Sequence, residues 1–111
     1  LYCDHNELIS LDVSNNTALT TLICHNNQLT ILDVSMHTAL TNLQCFGNLI
    51  TYLDVSQNTS LTELSCSNNL LIALDLSQNT QLENLLGNFS TYFLIRLPKV
   101  IHCLVWQYIF H

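Results

Sequence analysis

Residues 22–42 read LICHNNQLTILDVSMHTALTN, and residues 43–63 repeat the phrase as LQCFGNLITYLDVSQNTSLTE. The same 21-residue grammar fills Leu1–Thr21 and Leu64–Asn84 and restarts at Leu85, giving the consensus L-x-C-x-x-N-x-L-x-x-L-D-V-S-x-N-T-x-L-T-x. Self-similarity at a fixed period of this length marks a solenoid, in which each unit buries its apolar side only by stacking on its neighbours.

Six positions of the unit are apolar in almost every copy. They are the columns headed by Leu22, Cys24, Leu29, Leu32, Val34 and Leu40, which are the expected inward positions. Leu22-x-Cys24 has the two-residue period of a strand that turns both side chains inward and Ile23 outward. Leu32-x-Val34 repeats the pattern ten residues later. A second extended segment is therefore expected on the opposite side, with corners of Asn, Ser and Thr between the two. Parallel strands of successive coils would stack about 4.8 Å apart. Asn6, Asn27, Asn48 and Asn69 recur three residues after each cysteine. An amide both donates and accepts, so this column can satisfy corner backbone groups that packing takes out of water.

The spelling L-x-x-L-x-C-x-x-N-x-L, which starts at Leu19 and returns in successive units, resembles the leucine-rich-repeat signature. The echo Leu29-x-x-Leu32-Asp33-Val34 is similar to the nested 21-residue bacterial class, and the recurring cysteine with L-D-V-S-x-N-T-x-L-T resembles the cysteine-ladder internalins and related surface proteins of Bacteroidetes. The fold implied is a leucine-rich-repeat solenoid of stacked coils with short parallel strands, mostly β and loop. The resemblance also implies a secreted or surface-attached protein of the bacterial cell, used for adhesion or for binding a host or partner protein. Repeats that serve only as a structural spacer are the alternative.

Composition narrows the partners. Eight acidic residues stand against two basic ones, for a net charge of −6, and residues 1–95 hold no lysine or arginine. Nothing there can neutralise phosphates, so nucleic acid is excluded as a partner and an anionic membrane surface is disfavoured. With 49% hydrophobic and 9% charged residues, the chain is expected to fold around a core. It opens on a leucine already in phase with the repeat, without signal peptide or initiator methionine, and so reads as a fragment.

Cys3, Cys24, Cys45 and Cys66 fall in one column, where free cysteine usually acts as a small core hydrophobe. Parallel stacking keeps their side chains from converging on a metal or reaching disulfide geometry. Asp12, Asp33, Asp54 and Asp75 form an acidic column without the glycine-rich calcium signature, and are expected to face solvent. His5, His25, His37, His102 and His111 share no spacing with carboxylates or cysteines that suggests a metal or catalytic site. No nucleophile elbow, phosphate loop or zinc motif occurs. The expectation is a non-enzyme without cofactor or metal.

In leucine-rich repeats the outward strand residues form the recognition face. Carried over by position, these are Tyr2 and Asp4, Ile23 and His25, Gln44 and Phe46, Ser65 and Ser67, and Leu86 and Asn88. Tyr2, Asp4, Ile23, His25, Gln44 and Phe46 make the candidate binding patch, whose aromatic and apolar groups suit a protein interface.

Residues 1–88 thus form the repeat domain, and residues 89–111 a divergent hydrophobic tail with the only Trp, the only Pro and every Lys and Arg. Three readings of the tail stand side by side: a cap over the last coil, a short membrane segment, and translation in another reading frame past about residue 86. Cys103 belongs to this tail and is expected to be unpaired.

Overall fold

The computed structural model describes residues 1–89, 94–98 and 105–110, with the side chains of residues 88–89 and 105–110 left aside. It is a β-solenoid. Strands β1 (Thr21–Ile23), β2 (Asn42–Gln44), β3 (Glu63–Ser65), β5 (Asn84–Phe89) and β7 (Val105–Phe110) form one parallel sheet in that order. Its register is the sequence period itself: Leu22 pairs with Leu43, Leu43 with Leu64, and Leu64 with Leu85. Tyr2 adds a parallel bridge to Ile23 at the amino-terminal edge.

The inward columns pack as the repeat predicts. Leu22, Cys24, Leu29, Leu40, Leu43, Cys45, Ile50, Val55 and Leu61 are all fully shielded from solvent, and Leu1, Cys3, Leu8, Leu11 and Leu19 are less so because their coil ends the stack. Burying one such leucine is worth about 1.5–3 kcal/mol. The strand ladder runs one residue past the assigned strands, since the N–H groups of Cys24, Cys45 and Cys66 donate to the carbonyls of Gln44, Ser65 and Leu86.

The first asparagine column closes the corner after each cysteine. Asn27 Oδ1 accepts the Leu8 N–H at 3.0 Å, while its Nδ2 donates to the carbonyls of Cys3 and Cys24, both at 3.0 Å. Asn48 and Asn69 repeat the arrangement one coil and two coils on. Asn27, Asn48 and Asn69 therefore each tie their own coil to the one before it.

Among the described residues the second extended segment is a strand in two coils only. β4 (Ala73–Asp75) pairs with β6 (Leu94–Arg96), whereas the matching stretches around Leu11, Leu32 and Leu53 form no ladder. On this side the backbone is served by side chains instead. The carboxylates of Asp12, Asp33, Asp54 and Asp75 accept the N–H two residues on, from Ser14, Ser35, Ser56 and Ser77, at 2.9–3.0 Å. The carbonyls of Val13, Val34 and Val55 accept from His37 Nε2, Asn58 Nδ2 and Asn79 Nδ2 at 2.8–2.9 Å. These three side chains are buried at 1%, 0% and 0% exposure, a second inward polar column that the sequence reading passed over.

β6 and β7 lie in the tail and keep the register, with Leu94 opposite Ala73 and Val105 opposite Asn84. Ile95 packs against the core. Among the described residues no helix is long and apolar enough to cross a membrane. Cys103 lies outside the described residues, as do residues 90–93, 99–104 and 111.

Candidate functional site

The β1–β2–β3–β5 face carries the predicted outward residues, because alternation along each strand sends the residues flanking Leu22, Leu43, Leu64 and Leu85 away from the core. Tyr2 stands 72% exposed at the edge, and Asp4, Ile23, His25, Gln44 and Phe46 are half-buried behind it. The structure thus leaves all six accessible on one face.

Two of them, His25 and Phe46, interlock with His5. The His25 ring stacks on Phe46 with centroids 4.1 Å apart and an interplanar angle of 11°. On its other side His5 meets it edge-on at 4.9 Å. Next along the sheet a hollow of about 290 Å³ opens between Phe46 and Leu86, with Gln44, Asn42, Glu63 and Ser65 on its walls. Glu63, Ser65 and Leu86 therefore extend the patch further along the sheet than the six residues singled out. Ser67 departs from expectation: it is only 7% exposed, since the shortest side chain of the column Asp4–His25–Phe46–Ser67 stays below the surface.

A tight corner follows these residues. His5, Asn26, Gly47 and Asn68 occupy the same position in successive coils, and all have positive φ, between 52° and 68°. Asparagine and glycine tolerate that conformation best. Glycine at 47 also leaves room for its neighbour, since a Cβ there would stand 2.3 Å from Asn26 Oδ1 and that amide would have to shift. The Asn26 amide lies over Gly47 and reaches back to His5, with Nδ2 3.1 Å from His5 Nε2 and 3.1 Å from His25 Nδ1.

Asp4 completes the corner. Its Oδ2 is 2.8 Å from His5 Nδ1 and 3.9 Å from His25 Nε2. The hydrogen bond to His5 holds the Asp4 carboxyl below the usual carboxylate range. Asp4, His5 and His25 offer ligand atoms that all lie within 4.8 Å of one another. The sequence reading saw no such grouping. The signal was the period itself, which places His25 one coil from Asp4, but the turn of His5 toward them depends on its left-handed backbone.

The cysteine column is inward and its thiols are free. Burial pushes Cys24 and Cys66 up to about 12 and Cys45 well above the ordinary value, so none of them is a thiolate near neutral pH. They are core atoms rather than nucleophiles.

No protein-family model and no curated protein matches the chain. Among solved structures, the functional domain of InlJ from Listeria monocytogenes, described as including a cysteine ladder, is similar at 49% identity with a TM-score of 0.79. The match covers 80% of this chain and 20% of that one, so the chain spans about a fifth of its structural neighbour. Repeats of that type are typically non-enzymatic interaction scaffolds. The period, the buried thiol column, the asparagine corners and this neighbour agree, and the chain is a leucine-rich-repeat solenoid of the 21-residue, cysteine-ladder type, resembling the internalins.

Proposed function

We propose that the chain is part of a surface or secreted bacterial repeat protein and recognises another protein through its strand face, centred on Tyr2, Asp4, Ile23, His25, Gln44 and Phe46. The observation that carries this reading is the contrast between columns. Inside, leucine and cysteine repeat from coil to coil; outside, Tyr2, Ile23, Gln44, Ser65 and Leu86 follow one another along a single face with different chemistry at each step.

The mechanism is complementarity on a rigid support. Tyr2 and Leu86 are exposed apolar anchors, and the stacked His25–Phe46 pair between them is held in one arrangement before any partner arrives. Preorganisation of this kind lowers the ordering cost of association. Asp4, Gln44 and Glu63 supply hydrogen-bonding groups among them.

The test is binding of the labelled full chain to intact animal cells, beside an Ile23→Ser/Phe46→Ser variant whose cooperative unfolding is retained. Saturable binding that weakens by ~10-fold or more in the variant is expected for interface anchors. Binding unchanged in the variant eliminates this patch, and absence of saturable binding favours the spacer role.

A further inference from the structure

We propose that Asp4, His5 and His25 form a binding site for one divalent first-row transition ion of the zinc class, on the edge of the strand face. Two imidazoles and one carboxylate are a donor set suited to zinc, copper and nickel. Three protein ligands would leave a further coordination position open, on the side where His5 is 67% exposed.

The donors are already gathered. Zinc binds imidazole nitrogen and carboxylate oxygen at about 2.0–2.2 Å, which puts tetrahedral ligand atoms roughly 3.3–3.6 Å apart. The Asp4–His5 and Asp4–His25 separations of 2.8 and 3.9 Å bracket that spacing, and the widest separation in the group is under 4.8 Å. Side-chain adjustments of about an ångström complete the geometry, well within rotamer freedom at a half-exposed corner.

The surroundings hold the rings in place. His25 stacks on Phe46 and meets His5 at right angles, and His5, at a φ of 54°, brings its Nδ1 to 2.8 Å from Asp4 Oδ2. Asn26 touches the far nitrogen of both rings, each at 3.1 Å. With Nδ2 facing them it donates to both, so each ring keeps its proton on the nitrogen that faces Asp4. With the amide turned over, Oδ1 accepts an N–H from both rings, and the His5 Nδ1 and His25 Nε2 lone pairs face Asp4 together. An oxygen acceptor behind a ligating histidine is the usual outer-shell partner of a metal site. Both histidines then bind as neutral ligands and no proton is released. Gly47, beneath Asn26, leaves the amide room that any side chain would fill.

The charge balance agrees. Residues 1–95 contain no lysine or arginine to occupy the carboxylate. Cys3, beside Asp4 in the sequence, is half-buried and packs against the core, so its thiol belongs to the inward column rather than to this corner.

The experiment is equilibrium dialysis of the full chain against zinc, with His25→Gln and Asp4→Asn beside it, and the visible and near-ultraviolet spectrum of the cobalt-loaded wild type. Expected are one tightly held ion per chain, ~10–100-fold weaker binding in each variant at unchanged melting temperature, and cobalt bands without thiolate charge transfer. Binding equal in wild type and His25→Gln overturns the proposal, as does the absence of any zinc binding. A thiolate band that disappears in Cys3→Ser would place the ion on the cysteine column instead and overturns it too. The spectrum is read on the wild type, so it decides even where a variant fails to fold.

Discussion

Asn48 Oδ1 accepts the N–H of Leu29, one coil back, at 3.0 Å, and the same side chain donates to the carbonyls of Cys24 and Cys45 at 3.2 and 3.0 Å. With a longer donation to the Phe46 carbonyl at 3.4 Å, one amide thus serves four backbone groups at a corner where it is itself only 5% exposed. Leucine would match its bulk and serve none of them.

Asn48→Leu is therefore expected to destabilise the chain by about 2–5 kcal/mol, because each abandoned buried backbone group costs about 1–3 kcal/mol. Asn6, exposed on the end coil, donates only within its own turn, to the carbonyls of Cys3 and Asp4. Asn6→Leu should cost far less. Denaturant unfolding of the two variants measures the difference, and equal losses would contradict the corner role.

The thiol column predicts an alkaline limit. Burial raises Cys24 and Cys66 from 9.0 to about 12 and Cys45 further, so above pH 9 the unfolded chain releases protons that the folded chain retains. Stability contributed by the neutral thiols is complete below pH 9 and is lost as the pH rises from 9 toward 12. The melting temperature should fall across that interval, and with a shallower slope in a Cys24→Ala/Cys45→Ala/Cys66→Ala variant. The comparison rests on slopes, so the cavities left in the variant do not enter it. Parallel slopes would show that the thiols do not carry the effect.

His37 is out of place in its column. Its Nε2 donates to the Val13 carbonyl at 2.8 Å, but Nδ1 is buried without a partner among the described residues. Asn79, at the equivalent position, donates to Val55 at 2.9 Å and also to the Asn58 carbonyl at 3.0 Å. His37→Asn restores the column's own residue and supplies a second donation of the kind Asn79 makes, while exchanging the unpaired Nδ1 for an amide oxygen that is also unpaired in Asn58 and Asn79, and is expected to raise stability by about 0.5–1.5 kcal/mol. A lower denaturation midpoint would mean that the imidazole's packing outweighs its missing bond.

The repeat made the core legible. A period of 21 assigns Leu22, Cys24, Leu29, Leu32, Val34 and Leu40 to the interior without further help, and the observed register between Leu22 and Leu43 follows from it. Alternation alone was a weaker guide on the far side. Leu32-x-Val34 reads as a strand, yet a ladder needs backbone partners in the next coil, and there Asn58 takes up the Val34 carbonyl instead. The binding face was legible for the same reason as the core. The Asp4–His5–His25 corner was not, because position in a repeat says which residues are stacked and says nothing of a left-handed turn that brings the next side chain beside Asp4.

The direction of the asparagine bonds bears on how the chain is made. Asn27, Asn48 and Asn69 each reach toward the coil of lower residue number. During synthesis the amino-terminal coil leaves the ribosome first, so every later coil emerges with its acceptors and donors already waiting on a surface that exists. The molecule can be laid down one turn at a time, each turn completing the one made before it. Lengthening such a protein by duplicating a unit then asks nothing new of the turns already in place.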